Sequence, residues 1–598
     1  MPLAGHPENI LPLHGNQDGS LSHWTVTAKS YARGLARRIS LSRAVLAFIS
    51  IIAFYVLVNT LSVGTKNTKL PRDNNGNEMR IPLKDRKLRE ERERMMLEWD
   101  SRSNYRTDLS EVGPGRISSY PASLFTSDHQ ATPSSPTTSK YLPVTAVILS
   151  WKRKEGAKTV VAHLRKYPFI QEILIWNNNP EIELFATDFA DRGNSQNTTG
   201  NSWPSVTVFN SVANLHDFSK YTTCTLAKYD HCYIQDDDWI NLSLDSLYSV
   251  FLDQPNSLTT STIPAMYAQQ RSWVFQNPQI GLHTGFSWLG AGSFMPKTAV
   301  FKFLMQLGGS NLWKERVQLS DLFFSLWRNQ YPVVLTHALA PLDQSSSWSG
   351  RIDQWSVVYE HMTDAIERIT TMLSGQGSVQ GSPHRNGAKA DFVAAEEVPL
   401  VKNRHSRSSC ANDKCLFQTN VDMFPAPEQI KWPAEPYNRD IHAHEARIKA
   451  LNYPSPEFVA MHTYHYAVDQ DLSTCWRSFH SFAGGDYFGL RFVLPLLDMG
   501  ENAKSIEIWS TQAATLQALQ SNMAIKASID GKAWMTCSGE IEKSQGSVRF
   551  MDLSCTDTGK NIGIQLDTRG IQHLRFEMTD KSASPIEICG IRVGDMIL

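Results

Sequence analysis

Three adjacent aspartates, Asp236, Asp237 and Asp238, follow directly on a candidate strand, HCYIQ, at residues 231–235. Carboxylates this close repel, each pair at about 4 Å costing ~1 kcal/mol in water and ~4 kcal/mol at an effective dielectric near 20. At the end of a buried strand they need a partner, and a divalent cation is the economical one. An all-oxygen ligand set favours a hard ion, Mn²⁺ or Mg²⁺, over Zn²⁺. Such ions commonly hold phosphates as well as protein carboxylates, so the triplet suits a nucleotide diphosphate. A solvated acidic turn is the plainer reading of an isolated triplet, and the elements around it bear on the choice.

Upstream, VTAVILS (residues 144–150) is a continuous apolar run rich in β-branched residues, as in a buried parallel strand. A helical stretch, EGAKTVVAHLRKYP, and a second apolar run, EILIW (172–176), complete a βαβ unit. Ligands of such sheets bind beyond the carboxyl ends of the strands. That places residues 151–153, with Arg153, and 177–179, with Asn177 and Asn178, beside the site that the triplet enters.

VTAVILSWKR, EILIWNNNP and YIQDDDW together resemble the exostosin-type (family 64) glycosyltransferases, over roughly residues 141–360. Ala213-Asn214-Leu215 with Phe218 is similar to a further family stretch, with Asp217 where the family often has Arg. The segment 288–304 resembles a loop and helix that shape the acceptor side. Residues 319–324 sit at another family motif, in which Asp321 matches the second acid and Ser320 replaces the first. SSSWSGR (345–351) resembles a Ser-rich loop whose Arg contacts the diphosphate, a task suited to the planar guanidinium fork.

The resemblance implies an α/β GT-A-like nucleotide-sugar transferase domain. It implies donor contacts from Arg153, Asn177, Asn178, Asn214, Asp236 and Asp237, a metal on Asp236 and Asp238, and catalytic roles for Asp321 and Arg351. Asp321 would orient the acceptor hydroxyl or stabilise charge at the anomeric carbon; a plain helix-terminal Asp is the structural alternative. The family retains anomeric configuration, giving α-linked products. In that picture the departing phosphate takes the acceptor proton.

The rest of the 598 residues divides around this domain. AVLAFISIIAFYVLVNTLSV (44–63) carries no charge over about 30 Å of helix, enough to cross a bilayer. The expectation is a cytoplasmic tail at 1–43, a transmembrane anchor, and a stem at 64–140 that is first charged and then rich in Ser, Thr and Pro. Flanking positive charges barely decide the orientation. All eight cysteines and both sequons, at Asn197 and Asn241, lie C-terminal to the span, which points to a type II protein with a lumenal bulk, in the Golgi or endoplasmic reticulum. With 58 Lys and Arg against 59 Asp and Glu, the chain lacks the basic excess of a nucleic-acid binder.

The transferase domain is expected over 141–375 and a Gly-, Ser- and Pro-rich linker over 376–436, in which Cys410 and Cys415 suit a local disulfide better than a zinc site. From 437 to 598 short strand-like segments with turn signals suggest an all-β jelly-roll sandwich. That part resembles discoidin-like (factor 5/8 type C) modules of the galactose-binding fold, through AVDQD with Thr474 and Trp476, SIDGKAW, and IEICGIRV. The resemblance implies a Ca²⁺ site flanked by Asp469 and Asp471, and glycan-binding loops. The whole reads as a metal-dependent transferase moving sugar from a UDP-sugar to a glycan or glycoconjugate; an inactive lectin-like or scaffold protein is the alternative.

Overall fold

The computed structural model of the chain describes residue 125 and residues 141–190, 204–310, 312, 317–343, 354–374, 405–435, 438–451, 453–493, 505–556, 563–565 and 571–598. Among them no helix is long and apolar enough to cross a membrane. The expected anchor and tail, nearly all of the stem, Asn197 and Arg351 lie outside the described residues.

Seven strands form the first sheet: β1 (Val144–Ser150), β2 (Ile170–Asn177), β3 (Ser205–Asn210), β4 (His231–Asp236), β5 (Thr259–Thr262), β6 (Ser293–Pro296) and β7 (Val333–Thr336). Their order is β7-β5-β6-β4-β1-β2-β3. Parallel pairing joins β4, β1, β2 and β3, whereas β6 runs antiparallel between β4 and β5, so the sheet is mixed and Rossmann-like. Val144, Ala146 and Ile148 on one face of β1 and Thr145 and Val147 on the other are fully buried, as a strand covered on both faces must be. Helices α1 (Lys154–Leu164), α2 (Phe218–Thr225), α3 (Leu244–Asp253), α4 (Pro264–Arg271), α5 (Lys297–Gly309), α6 (Ser320–Trp327) and α7 (Gln354–Leu373) complete this half.

Register aligns the strand ends that matter. Leu149 pairs with Trp176 on one side and Asp236 on the other, and Asn177 pairs with both Ser150 and Asn210. Four carboxyl ends therefore meet at one edge, where a doubly wound sheet binds its ligands.

The second half differs from the sequence expectation at the linker. Within the span assigned to a linker, Ser406–Ser409 and Cys415–Thr419 are paired strands closed by the Cys410–Cys415 disulfide. They belong to a curled antiparallel sheet of eleven strands, beside which Trp476–Ser481 and Pro585–Ile588 form a separate two-stranded sheet. The ladder stays unbroken because the ten-residue strands Met535–Ser544 and Ser547–Thr556 form a long hairpin whose outer edge pairs Ile506–Trp509. A register shift between Ser538 and Glu540 marks a bulge, a device that bends and twists a strand. All eight cysteines pair, the remaining bridges being Cys224–Cys232, Cys475–Cys589 and Cys537–Cys555. Such a set belongs to an oxidising, secretory-pathway compartment.

The two halves share a core in which Ile263, Tyr267 and Leu339 pack with Phe417, Tyr464 and Trp476. Helix α3 is gripped at both ends. Asp413 accepts hydrogen bonds from the backbone N–H of Asp245 and Ser246 at its N-terminus. Arg491 forms an ion pair with Asp253 at its C-terminus and donates to the Ser249 carbonyl.

Candidate active site

A cavity of about 480 Å³ opens at the aligned strand ends. Asp236, Asp237, Asp238, Arg153, Asn178, Asn214 and Asp321 all line it, so most of the residues that sequence reading nominated meet in one place. The volume falls within the usual range for small-molecule and cofactor sites. Trp288, Gly290 and Ala291, on the loop expected at the acceptor side, form another wall.

The three aspartates of the triplet do different things. Asp237 is only 2% exposed and turns back into the protein. It accepts from Ser150 Oγ at 3.0 Å, the Trp151 backbone N–H at 3.1 Å and Arg153 Nη1 at 2.7 Å. Its carboxylate pins the end of β1 and the start of α1 to the end of β4. Gly156 permits this, because a Cβ there would stand 2.2 Å from the Asp237 carbonyl oxygen. Asp238 lies 3.2 Å from the same guanidinium. Asp236 keeps 30% of its side chain accessible and meets a second cation, Lys220, at 3.1 Å. It also needs a glycine beside it: a Cβ on Gly290 would fall 2.0 Å from Asp236 Oδ2, while the Gly290 carbonyl accepts from the Asp236 N–H at 2.8 Å.

Lys220 and Tyr221 are the functional residues that sequence reasoning missed. Lys220 lies on α2 with its side chain 1% exposed, and its ammonium also reaches Asp321 at 3.1 Å and Asp217 at 3.5 Å. Tyr221 donates its hydroxyl to the other Asp321 oxygen at 2.7 Å. The Cys224–Cys232 bridge ties the last turn of α2 to the second residue of β4, which fixes Lys220 relative to Asp236. The signal available in sequence was Asp217 three residues before Lys220, a spacing that brings the two side chains together if the segment is helical.

Five carboxylates line the cavity against two permanent cations, Arg153 and Lys220. Fully ionised, that leaves a surplus of negative charge, and the acids respond. Burial raises Asp217 to about 8, opposed by Lys220, and raises Asp238 to about 7, helped by the neighbouring Asp236 charge. Burial also raises Asp321 against the pull of Lys220. Lys220 itself is penalised by burial, yet the Asp217, Asp236 and Asp321 charges outweigh this and hold its ammonium protonated. A divalent cation on Asp236 and Asp238 would relieve the surplus, so the donor set and its charge fit Mn²⁺ or Mg²⁺.

Other nominated residues have structural tasks. Asn177 is buried outside the cavity, with its amide donating to Asn210 Oδ1 at 2.9 Å and its Oδ1 accepting from the Asn179 N–H. Asn178 accepts from the Leu215 N–H and donates to the His216 carbonyl, which anchors the loop carrying Asn214. Asn241, expected to carry a glycan, is fully buried, donating to Ser261 Oγ and accepting from the Ser243 N–H. The folded chain has no room for a sugar there. In the C-terminal half, Asp469 accepts from Thr474 Oγ1 and the Asp471 N–H, while Asp471 accepts from Ser473. Both carboxylates are thus engaged in the turns of their own loop.

Neither a protein-family model nor a curated protein sequence matches the chain. Among solved structures, the likenesses are to nucleotide-sugar transferases and related enzymes. A mannosyltransferase from Pyrobaculum calidifontis, in complex with GDP-Man and Mn²⁺, is similar over 47% of this chain and 73% of its own, at 9% identity and a TM-score of 0.26. Glucosyl-3-phosphoglycerate synthase from Mycobacterium tuberculosis, with Mn²⁺, UDP-glucose and phosphoglyceric acid, is similar over 38% of this chain and 79% of its own, at 12% identity and a TM-score of 0.23. GalNAc-T7, with UDP, GalNAc and Mn²⁺, matches over 40% of this chain and 53% of its own, at 10% identity and a TM-score of 0.24. Likenesses at these TM-scores assign no fold family, donor, acceptor or chemistry to the chain.

Proposed function

We propose that the chain is a metal-dependent, exostosin-like glycosyltransferase that moves a sugar from a UDP-sugar to a glycan or glycoconjugate acceptor. The observation that carries this reading is the surplus of carboxylates, with Asp236 and Asp238 foremost, in a 480 Å³ cavity at the carboxyl ends of β1, β2 and β4. Such a site favours a diphosphate that arrives with a divalent cation. Residues 44–63 would anchor it as a type II protein, with this half in the Golgi or endoplasmic reticulum lumen.

In the proposed reaction the anomeric carbon–phosphate oxygen bond breaks and the acceptor oxygen takes its place on the same face. The phosphate oxygen receives the acceptor's proton, giving an α-linked product. Bound Mn²⁺ or Mg²⁺ would supply charge neutralisation for the leaving diphosphate. Arg153 keeps the triplet in place through Asp237, and Asp321, held by Tyr221 and Lys220, offers negative charge beside the reacting sugar. Arg351 is proposed to steady the diphosphate.

A second reading, donor binding without transfer, is favoured by the same contacts on Asp321, since both its oxygens are already engaged. Release of nucleotide diphosphate from a panel of nucleotide sugars, measured with and without Mn²⁺, separates the two. Metal-dependent release that disappears in Asp236→Ala supports the transferase. Donor binding with no release under any condition supports the second reading.

A further inference from the structure

We infer that the Lys220 ammonium is a resident counter-cation of the acidic site, which bridges Asp236 to Asp321, weakens the binding of a bare divalent cation, and so makes the site take its metal together with a nucleotide diphosphate. The inference rests on the transferase reading and adds how that site is loaded.

The geometry is specific. A lysine ammonium is strongly hydrated and sits on a flexible stem, so most lysines keep the charge in water. Lys220 has given up that hydration almost completely and received three carboxylates instead, at 3.1, 3.1 and 3.5 Å. Its helix is short, and the Cys224–Cys232 bridge fastens that helix to β4, so the ammonium stays by Asp236. Asp236 is also one of the two residues placed to hold a divalent ion. Ammonium and metal then share one carboxylate, and like charges a few ångströms apart repel strongly in a partly desolvated site. The charges of a diphosphate offset that repulsion. Lys220 is thereby a positioning residue for Asp321 and a brake on metal binding without nucleotide.

The test is Mn²⁺ binding to the full chain in detergent, followed by calorimetry or by the loss of the free-ion paramagnetic resonance signal, with and without UDP. Wild type is expected to bind Mn²⁺ weakly alone and more tightly with UDP. Lys220→Met is expected to bind Mn²⁺ alone on the order of ten-fold tighter or more, as removal of an adjacent like charge requires, with a smaller further gain from UDP. Lys220→Arg, which keeps the charge, should resemble wild type. If Lys220→Met does not fold, as circular dichroism would show, Lys220→Gln combined with Asp321→Asn is compared with Asp321→Asn alone, and the same tightening is expected.

Equal Mn²⁺ affinity in wild type and in the charge-removing variants overturns the inference, as does absence of Mn²⁺ binding from all of them. The transferase reading fails separately. A chain that releases no nucleotide diphosphate but still binds Mn²⁺ more tightly as Lys220→Met loses its turnover and keeps its counter-cation. A chain with full turnover and unchanged affinities keeps the first and loses the second.

Discussion

Asp413 accepts a 2.8 Å hydrogen bond from the backbone N–H of Ser246, 167 residues earlier in the chain. Ser243, at the N-cap position of α3, makes no side-chain cap bond, so a carboxylate from the C-terminal half supplies the missing acceptor. Burial raises Asp413 to about 7, opposed by the hydrogen bonds from Ser246 and Asp245. A carboxylate whose folded pKa is raised binds its proton more tightly in the folded state. Its stabilising contribution is complete below its unfolded value near 4 and is lost as pH rises through about 7. Asp413→Asn should therefore gain on wild type as pH rises from 4.5 to 7.5, when unfolding midpoints in urea are compared. A difference that stays constant with pH would refute this. Asp413→Ala, which removes the acceptor, is expected to cost about 1–2 kcal/mol.

Asp236 and Asp237 are neighbours with opposite sensitivities. Asp237→Ala leaves Arg153 without its closest partner and breaks three hydrogen bonds, one of them fully buried, so a loss of about 3 kcal/mol in stability is expected. Asp236→Asn leaves Lys220 its contacts with Asp321 and Asp217 and thins a carboxylate-rich cluster at its open side, so its stability cost should be smaller than that of Asp237→Ala. Its effect belongs in Mn²⁺ affinity, which should fall at least about ten-fold, the cost of losing one close opposite charge. Urea unfolding and Mn²⁺ titration of the two variants check the contrast.

Gly290→Ala tests the close approach at the triplet. The new methyl group cannot share space with Asp236 Oδ2, so the carboxylate must turn away. Nucleotide diphosphate affinity in the presence of Mn²⁺ should fall while circular dichroism remains that of wild type. Unchanged affinity would mean that Asp236 does not set the site.

Asn241→Gln should leave the glycan mass of the chain unchanged, because Asn241 is inside the fold. The longer amide disturbs the bonds to Ser261 and Ser243, at an expected cost of about 1–3 kcal/mol in stability. Glycosidase treatment with mass measurement reads the first outcome, thermal unfolding the second.

What could be read from the sequence was local. The apolar runs of β1 and β2, the triplet at the end of β4 and the five-residue spacing of Cys410 and Cys415 each carry their information within a few positions. Beyond its neighbour Asp217, the role of Lys220 was not legible, because its partner Asp321 lies 101 residues away and only the folded sheet brings them together. Ser406–Ser409 reads as linker by composition, yet all four residues are buried in a sheet, since the ladder is made by backbone groups that every one of these residues carries. The curled single sheet depends on a hairpin and its bulge, whose register no periodicity reports.

The Cys224–Cys232 bridge gives this arrangement a dependence on place. Lys220 sits one turn before Cys224, and Asp236 four residues after Cys232, so the cross-link lies between the cation and the acid it faces. In a reducing cytosol the tether would be open, and the charge pattern of the cavity would no longer be held by a covalent bond.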